Sequence, residues 1–423
     1  MTKNKRMITM VVVGGLFLVT CLVLTACQSS LALGRTEESP LSTPTVWPEW
    51  LPLPATDIWS VPSRPVTPVP AEGRVHPTPI LVSPLPTPTL LSSREVRVTA
   101  LEELQALSTM EDRLIAPDFD ARTIAIIARD RKSIVTADVT THQVRILDPG
   151  ELMDFDSRAE IWLSSLHVSG RYVVWVARWR RQGTLFVYDL QTNRLSSIAR
   201  DASLADADLS DHIVIWRQLE EGRYWHILGY DLERQTYLKI VTGPRGALRP
   251  QISGEWVIYE DWTERDGSDV GLYLTCVDDG EEIRLGSVYA PGDQAVPSFY
   301  AIDSPWVGWT TGHWSDAPEL HLFNLETHQA YTITVEPCGA SASRPRRLGN
   351  LAISGGTVIF TCGQPMGYDI EREVFFSIPI YAAKPAGEEW GFGGWSIAGD
   401  RIVWVLSSEQ ESRVYTAQIE HRP

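Results

Sequence analysis

Ser169-Gly-Arg-Tyr-Val-Val-Trp-Val176, followed after a polar loop by Leu185-Phe-Val-Tyr-Asp-Leu190, is the stretch that decides the fold. Its parts return at fixed offsets along the chain. A small or acidic residue stands at Asp120, Ser169, Ser210, Ser253, Asp303, Ser354 and Ala398. Four residues later come Ile124, Val173, Val214, Val257, Val307, Val358 and Ile402, and six later Ile126, Trp175, Trp216, Tyr259, Trp309, Phe360 and Trp404. The successive spacings of 49, 41, 43, 50, 51 and 44 residues are those of propeller blades. At that period each repeat is one small sheet that cannot bury its own faces and must stack on its neighbours.

Each repeat parses into four strands. An innermost strand precedes the anchor, as in Leu248–Ser253 and Gly349–Ser354, and a continuously apolar one follows it, as in Tyr172–Val176 and Arg401–Val405. Unbroken apolar runs imply burial on both faces, as in a sheet packed between two others. The third strand reads Leu185–Leu190, Ile227–Leu232 or Leu320–Leu325, and the outer one Tyr331–Val335. Asp138, Asp189, Asp231 and Asn324 share one slot before a turn, where an Asx side chain bonds the turn backbone, so they read as structural. In the sixth repeat Pro379 is assigned to that slot, which predicts an edge or bulged strand there. Leu101, Leu104 and Leu107 recur at the spacing of a short helix. The seventh repeat has three strands, because the chain stops four residues after Ile419. An open edge exposes unpaired backbone groups, and the alternating Glu95–Thr99 is the one strand left to cover it. The predicted fold is therefore all-β, a seven-bladed β-propeller closed by an N-terminal strand, with six blades as the alternative.

The phrase Ser-Gly-x-x-Val-Val-Trp, a polar loop, Leu-x-x-Tyr-Asp-Leu and then Ile-Thr resembles the TolB-type, WD-repeat-like propeller repeat of bacterial envelope proteins. The resemblance covers residues 94–423. The shared residues build blades, so it implies the fold rather than an activity. The family's Ser-Pro-Asp-Gly corner is here Ser-Gly or Ser-Asp, and a proline-rich stretch stands in place of TolB's N-terminal α/β domain.

The first residues give an address. Lys3, Lys5 and Arg6 precede the apolar run Met7–Leu24, and Leu24-Thr25-Ala26-Cys27 follows. This is a secretory signal whose end resembles the bacterial lipobox, with Cys27 the lipidated residue. An uncleaved membrane anchor is the alternative. Between Pro40 and Pro88 lie 14 of the 28 prolines, a composition that favours extended chain and reads as a stalk. The expected division is a signal peptide over 1–26, a disordered Pro/Ser/Thr-rich linker over 27–93 and a propeller over 94–423. The expected location is extracytoplasmic and lipid-anchored, on the outer face of the cytoplasmic membrane or the periplasmic side of an outer membrane. A formal charge of −16 argues against nucleic acid as a partner.

Candidate chemistry is sparse. Trp175, Trp216, Trp309 and Trp404 belong to the repeat and are expected in the core. Trp179, Trp262 and Trp314 do not. They sit past the second strand beside Arg178 and His313, in loops that share a propeller face with the blade-to-blade connections. Flat apolar rings edged by hydrogen-bonding groups suit a sugar or an extended peptide. Asp206, Asp208 and Asp211 read as solvated turn residues, and neither they nor Asp266 and Asp269 form a calcium loop. Cys338 and Cys362 are placed for a disulfide between adjacent repeats, with free thiols the alternative, while Cys276 falls within a strand and is expected to stay unpaired. No G-x-S-x-G elbow or metal-ligand spacing is present, and no cofactor is expected. The sequence reads as a non-enzymatic module binding a glycan, peptide or envelope protein; the rival is a secreted lyase or glycosidase with its site in the channel.

Overall fold

The computed structural model describes residues 83–84, 96–108, 114–128, 133–148, 161–180, 182–220, 224–243, 246–262, 270–287, 299–311, 318–335, 348–380, 390–408 and 411–421. Seven antiparallel sheets follow one another along them. Blade 1 comprises Leu114–Phe119, Thr123–Ala128, Ile134–Asp138 and Val144–Leu147; blade 2 comprises Trp162–Ser169, Tyr172–Trp179, Gln182–Asp189 and Arg194–Asp201. Blade 3 runs Ala205–Ser210, Ile213–Glu220, Tyr224–Asp231 and Thr236–Val241; blade 4 runs Ala247–Ser253, Trp256–Asp261, Gly271–Cys276 and Glu282–Ser287. Blade 5 has Tyr300–Asp303, Trp306–Thr311, Glu319–Asn324 and Gln329–Thr334, with Ser83–Pro84 paired parallel to its outer strand. Blade 6 has Gly349–Ser354, Thr357–Thr361, Pro365–Asp369 and Val374–Ser377.

Blade 7 takes Gly391–Ala398, Arg401–Ser407 and Ser412–His421 from the C-terminus and Val96–Glu103 from the N-terminus. The N-terminal strand pairs antiparallel with Ser412–His421, Val96 opposite His421 and Glu103 opposite Tyr415. This is the closure the sequence predicts, and the blade count is seven. The strand runs further than expected. Leu101 lies in it, exposed, and among the described residues of this segment the single turn Gln105–Ser108 is helical. Leu104 and Leu107 are buried between blades 7 and 1.

The apolar residues sort into seven clusters, one at each junction between neighbouring blades, including that between blade 7 and blade 1. That division explains the repeated phrase. Residues four and six after the anchor alternate with buried neighbours, so the second strand feeds the junctions on both sides. Trp175, Trp216 and Trp404 are fully buried, and Trp309 nearly so.

The anchor residue itself is an inter-blade clamp. Its side chain accepts the amide N–H one residue past the next blade's anchor: Asp211 to Ser169 at 2.9 Å, Gly254 to Ser210 at 2.9 Å, Ser304 to Ser253 at 2.9 Å, Gly355 to Asp303 at 2.9 Å and Gly399 to Ser354 at 3.0 Å. Asp120 takes the Gly170 amide in the same way. The role calls for a side-chain oxygen on a short side chain, which serine and aspartate supply. Ala398, at the seventh junction, has no side-chain acceptor.

Asp138, Asp189, Asp231 and Asn324 each accept two backbone amides of the following turn, as expected of Asx residues. In blade 6 that slot belongs to Asp369, which accepts the Arg372 amide at 3.0 Å, and not to Pro379. The register is misread because only Cys362, Gly363 and Gln364 join the second and third strands there, and Pro379 lies beyond the outer strand. Cys276 is a free, buried thiol whose pKa is raised chiefly by burial. Cys362 is disulfide-bonded. Cys338, its expected partner, lies outside the described residues, as do Cys27 and most of the proline-rich stretch.

Candidate functional site

The seven innermost strands enclose a channel of about 710 Å³. Six of the seven carry a register shift beside a left-handed residue: Ala116, Ser165, Asp206, Arg249 and Asn350, with φ of 46 to 50°, and Gly394 at 122°. A bulge re-aims the side chains around it. The residue two before each anchor lines the channel, giving a ring of Asp118, His167, Asp208, Gln251, Ala301, Ala352 and Ser396.

This ring is polar on one side and small on the other. The Asp118 carboxylate accepts the Val168 amide at 2.7 Å and the Ser396 hydroxyl at 3.3 Å. Asp208 accepts the Leu209 and Ile252 amides, each at 2.8 Å. His167 Nδ1 lies 3.0 Å from Asp208 and 3.7 Å from Asp118. Gln251 donates to the Tyr300 carbonyl at 3.2 Å. Each bond reaches across a blade junction, apart from the Asp208–Leu209 one. The belt therefore joins blades 7, 1, 2, 3, 4 and 5, and Ala301 and Ala352 leave a gap in it. Burial raises the Asp208 pKa, opposed by His167 and the two amides. Asp206 and Asp208 lie in the innermost strand Ala205–Ser210, so their reading as solvated turn residues is corrected: with Ala207 between them, both line the channel. Asp211 does sit in the turn that follows. Among the described residues no group of three or more His, Cys, Asp or Glu side chains is arranged to hold a metal ion.

Where the innermost strands of blades 2 to 4 begin, the chemistry changes to arginine and aromatic rings. Arg178 donates to the Leu204 carbonyl at 2.7 Å. Arg217 pairs with Asp206 at 2.8 Å and lies over the Trp225 ring, 4.3 Å from its centroid. Arg249 pairs with the buried Glu260 and faces the Tyr300 ring at 5.7 Å. The Arg217 pKa is lowered, mainly by burial; Asp206 opposes the shift, and the like charges of Arg178 and Arg249 add to it. Burial, and then the Glu260 carboxylate, push the Tyr300 hydroxyl well above its ordinary range.

Of the residues singled out in the sequence, Arg178, Trp179 and Trp262 fall at this end, while Trp314 and His313 lie outside the described residues. Trp179 closes the strand Tyr172–Trp179 rather than sitting in a loop, and one face of its ring is covered by Arg180 at 4.5 Å. Trp262 lies just past Asp261, 37% exposed, with its indole N–H donating to Glu260 at 3.2 Å. Trp162, 48% exposed and opposite Arg178 in the ladder, joins the same rim, as do Trp225, Arg217 and Arg249. Those four were not singled out. Arg249 is legible only once the repeat register is applied backwards from the anchor, four residues before Ser253.

No protein-family model and no curated protein sequence matches this chain. Its shape does match solved propellers. The β-propeller domain of the Trilobed protease from Pyrococcus furiosus superposes with a TM-score of 0.52 at 12% identity, over 74% of this chain and 96% of that one. That domain has an open velcro topology, whereas the present ring is closed by Val96–Glu103. A prolyl endopeptidase matches with a TM-score of 0.52 at 13% identity, over 74% of this chain. A putative TolB from Agrobacterium tumefaciens is also among the matches, at 10% identity and a TM-score of 0.37 over 53% of this chain. The chain spans about half the length of the peptidases it matches, 51% of the acylaminoacyl peptidase of Pyrococcus horikoshii and 48% of the prolyl endopeptidase. The likeness to the Trilobed protease domain shows the β-propeller fold, and the count of seven blades comes from the seven sheets of this chain.

Proposed function

We propose that this chain is a lipid-anchored, extracytoplasmic propeller that binds a ligand without transforming it. The observation that carries the reading is the use to which the channel carboxylates are put. Asp118 and Asp208 accept backbone amides of the next blade, so they clamp the ring in the way the anchor serines do. The other end of the channel presents arginines on aromatic rings, which are recognition groups at interfaces. The lipobox at Cys27 and the prolines that follow support the location, with the membrane as a partner through the lipid.

The rival reading, a carbohydrate-active enzyme working in the channel, draws on one observation: His167 stands between two carboxylates, as a general base does. A glycan and peptide array probed with the full chain in detergent, with product analysis of every bound ligand, separates the two. Unchanged ligands support the binding module; cleaved or unsaturated products establish the enzyme. Replacing Cys27 by Ser tests the anchor, and a variant that stays with the membrane fraction overturns it.

A further inference from the structure

We infer that the blade 2–4 end of the channel is an anion site, and that its ligand is an acidic glycan. The inference rests on the binding-module reading and names its ligand class. Arg178, Arg217 and Arg249 come from consecutive blades, and the charges of Arg178 and Arg249 both bear on the Arg217 guanidinium between them. Against these three guanidiniums stand the carboxylates of Asp206 and Glu260, each held by one of them. The third, Arg178, donates to a neutral acceptor, the Leu204 carbonyl. Glu220, at the same end, lies 2.9 Å from His226, whose pKa burial lowers, and is a third carboxylate there. A protein of formal charge −16 thus gathers three guanidiniums at one mouth of its channel, donors that an incoming anion can meet.

The rings beside these arginines serve to orient them. Arg217 lies on Trp225, Arg249 faces Tyr300 and Arg180 lies on Trp179. A guanidinium held flat on a ring is fixed in orientation, so Arg217 and Arg249, paired with Asp206 and Glu260, frame the place where Arg178 can meet a carboxylate. Trp162 and Trp262, exposed at the rim, supply flat apolar surface for the ring of a sugar.

An acidic peptide is the less favoured occupant. Extended peptides are gripped by adding a strand to a free sheet edge. Here the amides of Val168 and Ile252, on the channel edges of blades 2 and 4, are already taken by Asp118 and Asp208.

The test is a titration of the full chain in detergent with a hexameric oligoglucuronate, its carboxyl-reduced neutral counterpart and hexaglutamate. The expected result is saturable binding of the oligoglucuronate that weakens with salt, with affinity for the reduced form down about ten-fold or more. Arg178→Gln should weaken oligoglucuronate binding about ten-fold, with Arg178→Lys between it and the wild type. Arg178→Gln also gives up the bond to the Leu204 carbonyl, so binding is compared at a temperature where the variant is folded, with Arg178→Lys, which keeps the charge and a donor, as the check. Equal binding of the acidic and reduced glycans overturns the anion site and leaves the binding module standing. Tighter binding of hexaglutamate overturns the glycan assignment. Binding by the wild type that Arg178→Gln leaves unchanged removes the site from this place. An array on which no ligand of any class binds overturns the module reading itself.

Discussion

Ser169 Oγ accepts the amide N–H of Asp211, 42 residues later, at 2.9 Å, and so ties blade 2 to blade 3 through the residue that opens the repeat. The same clamp recurs with Ser210, Ser253, Asp303 and Ser354, and the anchor position is small or acidic because it must reach a neighbour's turn. Ser253→Ala leaves the Ser304 amide without its acceptor and should cost about 1 kcal/mol, the usual worth of such a bond. At the seventh junction the sign reverses. Ala398→Ser supplies the missing hydroxyl next to blade 1 and should stabilise by a few tenths to about 1 kcal/mol. Denaturant unfolding of both variants checks the pair; equal destabilisation would show that the anchor serves only its own turn.

Much of this was legible in the sequence, and the limits have physical causes. Packing residues repeat, because every junction needs the same apolar contribution. The ring order, the closure by Val96–Glu103 and the core tryptophans therefore follow from periodicity. Channel residues do not repeat. Asp118, His167, Asp208, Gln251 and Ala301 occupy one structural slot with four chemistries, and no period marks them. The bulge that aims them also places left-handed backbone at residues such as Arg249 and Asp206, which nothing in their side chains announces. Pro379 misled because blade 6 has a shorter second connection than its neighbours. Arg178 and Trp262 were visible as residues the repeat does not require; Arg217 and Arg249 were hidden within strands that it does.

The closing strand leads to a test at Leu107. This side chain is 1% exposed and packs among Leu114, Ile124 and Val414, where the first and last parts of the chain meet. Leu107→Ala should lower stability by about 2–5 kcal/mol through lost burial and the cavity left behind. Leu101→Ala, nearby but 46% exposed, should change it by less than about 0.5 kcal/mol. Comparable losses for the two would mean that the segment is not docked as described.

His321 gives a stability change in a defined pH window. Burial lowers its pKa to about 4, from an ordinary value of 6.5. Its ring stacks on Trp309 at 5.1 Å and its two nitrogens meet the hydroxyls of Thr311 and Thr332. The folded state thus holds a neutral imidazole where the unfolded chain would be protonated. This contribution is fully present above pH 6.5 and is lost as pH falls toward about 4. His321→Gln, which keeps a donor and an acceptor without titrating, should flatten the stability profile over that window. NMR titration of the imidazole should show a midpoint near 4; a midpoint at or above 6.5 would contradict the buried, neutral ring.

Gly367 and Phe376 are directly opposed in the ladder of blade 6, and a Cβ added at Gly367 would overlap the Phe376 ring. The ring therefore lies across the glycine backbone, and the strand tolerates a residue of low β-propensity because its neighbour fills the space. Gly367→Ala forces that ring out of a buried position and should cost about 1–3 kcal/mol, the range for overpacking. The loss is one of fit, so the two residues should couple: with Phe376→Leu already present, Gly367→Ala should cost at least about 0.5 kcal/mol less than in the wild type. A double-mutant cycle by denaturant unfolding measures the difference. Strict additivity would mean that the cost comes from backbone conformation instead of the ring.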